Sequence, residues 1–481
     1  MRGFTPAPSG HRPTAVTFAM VFSSFAFLLI FLPLAFLGFL WMRQQRRQST
    51  VLFLLGASWL FYAVWDWRYL FLLLVSLLVN YALGVQVWRH RSRRWLVGAL
   101  AFNLGLLAYY KYLGFFAGMA GWSLPGHWVL PLAISFYTFQ QIAWQVDLYR
   151  GRLAAPGRLF DFMLCVSFFP HLIAGPICRP SSLLPQIERG FATRPWHWQL
   201  GMTLFVLGLA KKVLLADSLA PGVDGLFGLT QPTAPQVVLA AFGYGLQLYF
   251  DFSGYADMAV GLGLMFGIRL PINFRSPYRS RSIIEFWRRW HISLSRFLRD
   301  YLYIPLGGSR HGRGRQWLSL LITMLLGGLW HGAGWQFVLW GAAHGGMLCL
   351  NHAWRWLSPW RLPPPLAWAL TLVAVMLVWI PFRAIDLTHA LAMFDALTHW
   401  SWPRLPGPSV LLVEASALHL DQSLWLAAPL LLGVCVVAPR ALNLALRLSP
   451  FWRGLVCALL LLIVAKAMLA RPDRAFLYFN F

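Results

Sequence analysis

Long apolar runs separated by short, arginine-bearing loops set the rhythm of this chain. A helix that crosses a bilayer needs about 20 apolar residues. By that measure the candidate spans are 20–42, 50–66, 69–88, 95–118, 129–147, 199–216, 236–267, 316–333, 335–350, 365–382, 422–438 and 454–470. Several are short or interrupted, so the pattern predicts about ten to twelve crossings. The expected fold is an all-α polytopic membrane protein, with re-entrant or interfacial helices around a central cavity. Residues 20–481 read as a single membrane domain. Residues 1–19 hold three prolines and no full span, and are expected either to precede the true start, at Met20, or to be a dispensable extension.

Two stretches break the helix-and-loop rhythm. The first is 161–181, DFMLCVSFFPHLIAGPICRPS, where Pro170, Gly175 and Pro176 interrupt an apolar run. It lies between two loops of the same sidedness, so it must dip in and return or lie at the interface. Irregular backbone survives at membrane depth only where protein buries it or water reaches it. The segment is therefore expected to line a cavity, with His171 and Arg179 nearby. The second is 269–315, which holds eleven arginines: 269, 275, 279, 281, 288, 289, 296, 299, 310, 313 and 315. Ser282 and Glu285 form a capping-box pattern. From there 283–303 reads as one amphipathic helix lying at the inner interface. Phe286, Trp290, Ser293 and Phe297 would share one face, with Arg288, Ser295 and Arg299 on another.

Composition agrees with the membrane reading. Charged residues are 11% of the chain, against about 25% in soluble domains. The net charge of +25 is carried largely by loops, so it speaks for topology and not for nucleic acid. Arg43, Arg46 and Arg47, then Arg89, Arg91, Arg93 and Arg94, then Arg150, Arg152 and Arg158 follow alternate spans. The positive-inside rule assigns these loops to the cytoplasm. The same count puts 269–315, 353–363 and 440–453 inside, and 383–421 and the C-terminus outside. Eleven arginines in 269–315 exceed what topology needs. They suit a ligand bearing phosphates, which guanidinium groups bind in bidentate fashion. Arg288, Arg289 and Arg296 are the candidates for that contact. The five cysteines lie in or beside apolar runs with no CxxC pair, and read as buried small hydrophobes.

Polar residues inside the apolar runs carry the candidate chemistry. His331 lies in LLGGLWHGAGW, sixteen residues after Arg315. At 1.5 Å per residue that is roughly 24 Å along a helix, well inside the membrane. Intramembrane ionisable groups are costly and commonly functional. A histidine exchanges protons near neutral pH and suits a general base that activates a hydroxyl for attack on an acyl carbon. A histidine bonded to a neighbouring helix's carbonyl fits the same position. Gly327, Gly328, Gly332 and Gly334 would let a helix or ligand approach closely. His344 reads as structural, and His291, in WRRWHISLS, by itself as an interface histidine. Asp251 and Asp257 interrupt 236–267; they are expected to neutralise arginines of the following loop or to shape a break between two short helices. No G-x-S-x-G elbow, phosphate-binding Walker loop or H-E-x-x-H metal motif is present, which disfavours a conventional hydrolase, a nucleotide-driven pump and a zinc peptidase.

Several stretches together resemble the membrane-bound O-acyltransferase (MBOAT) family, in its bacterial alginate O-acetyltransferase branch. They are MVFSSFAFLLIFLP at 20–33, LPLAISFYTFQQIAWQVDLYRG at 130–151, FFPHLIAGPICRP at 168–180 and YFDFSGYADMAVGLGLMFGIRLPINFRSPY at 249–278. EFWRRWHISLSRFLRDYLYIPLGG at 285–308, GGLWHGAGW at 327–335, WIPFRA at 379–384 and FLYFNF at 476–481 complete the set. The resemblance implies acyl transfer at the inner membrane of a bacterium. It casts His331 as the catalytic histidine and His291 as the second family histidine. It implies acetyl-CoA as the donor, which makes the Arg-rich loop a candidate donor site, with no permanently bound cofactor. It further implies periplasmic acetyltransferase partners and an exported polysaccharide as acceptor, alginate foremost. The same chemistry on cellulose or a cell-wall polymer is an alternative. A transporter without bond chemistry is another, although the chain lacks the repeated halves such proteins show.

Overall fold

A computed structural model of the chain describes residues 20–122, 130–191, 195–400, 411–470, 474 and 476–477. The expected extension at 1–19 lies outside the described residues. Every regular element among the described residues is helical, so the all-α membrane reading holds. Five helices are long and apolar enough to cross a membrane: Trp67–His90, Arg93–Met119, His197–Phe227, Pro364–Arg383 and Pro450–Ala470. Leu424–Val437 and Ala441–Arg447, bent by 60° at their junction, make a sixth if taken as one broken span. The other expected spans are helices too, but shorter or richer in polar positions. Examples are Arg47–Ala63, Ile134–Tyr149, Ala234–Met265, Gly312–His331 and Trp335–Leu357.

The Ile134–Tyr149 helix is buried on every side from Ile134 to Leu148. A helix with no exposed face needs no polar stripe, yet its polar side chains need partners. The Gln141 amide oxygen accepts from Ser76 Oγ at 3.0 Å and from Asn80 Nδ2 at 2.7 Å. Asn103 Nδ2 donates to Asn80 Oδ1 at 2.6 Å, and Gln145 Nε2 to the Asn80 carbonyl at 2.8 Å. This network joins Ile134–Tyr149 to Trp67–His90 and to Arg93–Leu107. In an apolar surround, unpaired amides would be expensive, so the network fixes which helix faces meet.

The carboxylates of Ala234–Met265 have different partners from those expected. That helix is continuous over 32 residues, with no break at Asp251. Asp251 pairs with Lys212 at 2.9 Å, and Asp257 with Lys211 at 2.6 Å. Lys212 also holds Asp217 at 2.6 Å. The cations come from the preceding helix, on a π-helical stretch at Lys211–Ala216, and not from the arginine loop. Both lysines lie near the end of the expected 199–216 span.

The interrupted segment behaves as its prolines and glycines suggest. Leu159–Ser167 is helical, Phe169–Leu172 is a single turn, and Pro180–Glu188 is helical again. Residues 161–178 are all buried, so protein encloses the irregular backbone, as burial at depth requires. The Ile177 amide donates to Ser293 Oγ at 2.9 Å, which seats this segment on the arginine-rich region. Arg47 binds Asp161 at 3.0 Å, Arg150 Nη1 reaches the Asp300 carbonyl at 3.1 Å, and Arg179 pairs with Asp300. These contacts tie the arginine-bearing regions around residues 47, 150 and 300 to one another through the interrupted segment and its neighbours.

Candidate acyl-transfer site

The stretch expected as one helix over 283–303 is two helices meeting at His291. Ile283–Arg289 is capped by Ser282 Oγ, which accepts the Glu285 amide at 3.2 Å. The Ser282 N-cap is as expected, but the box is not closed, because the Glu285 carboxylate accepts the Arg281 amide at 2.8 Å in place of that of Ser282. The chain then extends at Trp290, and His291 takes a left-handed conformation, φ 40° and ψ 56°. Ile292–Leu298 restarts the helix. Asn273 provides the reason. Its carbonyl accepts the Ile292 amide at 3.0 Å, and its side-chain oxygen accepts the Ser293 amide at 3.1 Å. Two of the N–H groups that a helix start leaves unpaired are satisfied from outside, and the chain bends there. The apolar face is not at an interface: Phe286, Trp287, Trp290 and His291 are buried in protein. No glycine or proline marks the bend, so periodicity alone carried the helix through it.

His331 is the last residue of the Gly312–His331 helix, at the end remote from Arg313 and Arg315. It is 4% exposed, and His291 is fully buried. The His331 ring centroid lies 4.7 Å from Trp330, 5.0 Å from Trp340 and 5.0 Å from Phe382. Trp330 also approaches His291, at 6.4 Å, and Phe252 meets His291 edge-on at 4.7 Å. The two histidines singled out in sequence therefore share one aromatic neighbour. A third, His344, is fully buried and 4.6 Å from Trp340, between Trp287 and Trp379. Tight helix packing surrounds these histidines. A Cβ on Gly328 would fall 2.2 Å from the Phe337 carbonyl, and one on Gly341 would fall 2.4 Å from that of Met324. Only glycine allows Gly312–His331 and Trp335–Leu357 to approach so closely.

The proposed donor-binding arginines are not among the buried residues of this aromatic centre. Arg288 and Arg296 are exposed. Arg289 is part-buried and held by Glu285 at 2.6 Å. Arg179, expected beside a cavity, pairs with Asp300 and donates to the Arg296 carbonyl at 3.3 Å. His171 is fully buried, with Nδ1 3.3 Å from Gln140 Nε2.

Sequence reasoning missed Lys111. It sits on a π-helical turn, Ala108–Tyr112, inside the Arg93–Met119 span. Its Nζ donates to the Trp330 carbonyl at 2.5 Å and to the His331 carbonyl at 3.3 Å. Tyr112 OH donates to the Leu329 carbonyl at 2.9 Å. The signal was present: Lys111 is an ionisable residue in an apolar run, which by itself points to a function or a buried partner.

A family model described as MBOAT, membrane-bound O-acyltransferase family, matches residues 156–380. Those residues include His291, His331 and the whole arginine-rich loop. The chain is 44% identical to a probable alginate O-acetylase AlgI of Azotobacter vinelandii, over 79% of this chain and 78% of that protein. The chain belongs to the membrane-bound O-acyltransferase family. Within that family it is also 38% identical to a peptidoglycan O-acetyltransferase of Helicobacter pylori, over 79% of this chain and 80% of that one. A teichoic acid D-alanyltransferase of Bacillus subtilis is 27% identical over 53% of this chain and 67% of its own length. The protein is thus a multi-pass membrane-bound O-acyltransferase.

Proposed function

We propose that this O-acyltransferase takes an acetyl group from cytoplasmic acetyl-CoA, at the bacterial inner membrane, for O-acetylation of an exported polysaccharide. The observation that carries the mechanism is the placing of His331. It is a nearly buried histidine at the end of its helix remote from Arg313 and Arg315, one aromatic side chain from His291. In the proposed step His331 takes the proton from an attacking hydroxyl. The hydroxyl oxygen bonds to the acetyl carbon, the carbon–sulfur bond of the thioester breaks, and the proton passes to the departing thiolate. Exclusion of water by the surrounding tryptophans protects the thioester from hydrolysis. His291 lies on the side of the arginine-rich region and orients the donor. Arg288 and Arg296, exposed and without a carboxylate among their described contacts, meet the donor's phosphates. Arg289, already engaged by Glu285, contributes less.

Alginate is the favoured acceptor, because the alginate O-acetylase relatives share 44–45% identity with this chain. The attacking hydroxyl belongs to the polymer or to a periplasmic acetyltransferase partner that carries the acetyl group onward. A cell-wall acceptor is a second reading, supported by the likeness to the Helicobacter pylori peptidoglycan O-acetyltransferase over a similar share of the chain.

Purified protein in proteoliposomes, given acetyl-labelled acetyl-CoA, tests the reading. Release of the CoA thiol matched by label in an ester-linked product is expected. Label crossing the bilayer still attached to CoA, with no thiol released, would show a transporter and overturn it. Acetyl content of alginate and peptidoglycan from a deletion strain then decides between the two acceptors.

A further inference from the structure

The end of the Gly312–His331 helix poses a specific problem. The last four carbonyls of a helix have no partner within it. Here those carbonyls belong to Gly328, Leu329, Trp330 and His331, of which all but the half-buried Leu329 are buried in protein. Three of the four are satisfied by two consecutive residues of a different span. Lys111 Nζ binds the carbonyls of Trp330 and His331, and Tyr112 OH binds that of Leu329. The Lys111 ammonium also lies 5.8 Å from the centroid of the Trp330 ring, the ring next to both His291 and His331. The turn that presents this pair is π-helical, a local irregularity that recurs at functional sites. A neutral hydroxyl could cap carbonyls at far lower burial cost than an ammonium. A cation is the stronger clamp on the negative end of a helix dipole.

We propose that Lys111 is a positioning residue for acyl transfer. Its ammonium closes the carbonyl end of the Gly312–His331 helix and so fixes where His331 stands relative to Trp330 and His291. Tyr112 is the neutral half of the same clamp. The inference rests on His331 being the reacting histidine.

The test compares K111M, K111R and Y112F with H331A in a deletion strain. Polymer acetylation is measured per unit of folded protein, with folding read from monodispersity in detergent and from thermal unfolding. A misplacement of about 1 Å can lower turnover on the order of 100-fold. K111M is expected to show a loss of that order at near-normal folded level. K111R, which keeps the charge and the donors, should recover at least a tenth of parent activity, and Y112F should lose less than K111M. In proteoliposomes the K111M loss should fall on kcat for acetyl-CoA, with KM within about twofold, because the donor's own contacts are untouched. Should K111M fail to fold, K111R still decides the matter: K111R as inactive as H331A at full folded level overturns the proposal. So does K111M with parent activity per folded molecule. Retained acetylation in H331A is the separate result that would remove the underlying reading.

Discussion

Gly208 and Gly254 meet backbone to backbone. A Cβ on Gly208 would lie 2.5 Å from the Gly254 carbonyl, and one on Gly254 would lie 2.7 Å from that of Gly208. The contact recurs seven residues along each helix, where a Cβ on Gly201 would fall 2.6 Å from the Gly261 carbonyl. The two helices run against each other at the smallest separation their backbones allow. That closeness brings Lys211 and Lys212 up to Asp257 and Asp251.

A larger side chain at Gly208 should therefore separate the pair. Overpacking typically costs 1–3 kcal/mol, and here the obstacle is backbone that cannot rotate away. Gly208→Leu is expected to lower the yield of monodisperse protein and the midpoint of thermal unfolding in detergent. The matching substitution at Gly98, where an added Cβ meets nothing within 4 Å, should change neither. Equal behaviour of the two variants would contradict the close-packing account.

The lysine–aspartate cluster makes a second prediction. Lys212 is 3% exposed and serves both Asp217 and Asp251. Asp251 has a further donor, the Leu477 amide at 2.9 Å. Removing one member of a buried ion pair typically costs about 3–5 kcal/mol, because the other charge is stranded. Lys212→Leu strands two carboxylates and should destabilise strongly. Asp251→Asn keeps an acceptor for Leu477 and leaves Lys212 with Asp217, so its loss should be clearly smaller. Thermal unfolding of both variants checks the order, and a reversed order would mean that the cluster is not organised around the lysine.

How much of this was legible in the sequence follows from the kind of physics involved. Hydrophobic run length predicted the helices well, because solvation in lipid acts on each residue alone. His331 stood out because a histidine beside tryptophan and glycine in an apolar run is locally conspicuous, whereas His291, among arginines, was singled out only by the resemblance to the family. The bend at His291 was not legible. It depends on Asn273, eighteen residues earlier, capping the second helix. The partners of Asp251 and Asp257 were hidden for a similar reason. Only the glycine contacts between two helices reveal which cations face them. The Asn80, Asn103, Gln141 and Gln145 network joins three separate elements, and no spacing within a single element encodes it.

His291 supplies a prediction that separates backbone from side chain. Its left-handed conformation is tolerated better by asparagine than by most residues. His291→Asn should keep the bend and the fold while removing the imidazole. His291→Ala should lose additional stability, on the order of 1 kcal/mol, from the strained backbone. Both should reduce acetylation at least about tenfold if the imidazole orients the donor, a modest share of what positioned groups contribute to such reactions. Normal acetylation in a folded His291→Asn protein would leave the residue a role in the bend alone.

The most direct test of the account is polymer acetylation in a deletion strain carrying His331→Ala at a membrane level matched to the parent. Loss of O-acetyl groups to the background of the empty strain, with the variant still inserted and monodisperse in detergent, is the predicted result. Polymer acetylated to the parent level by that variant would contradict the assignment of His331 as the base that activates the acceptor.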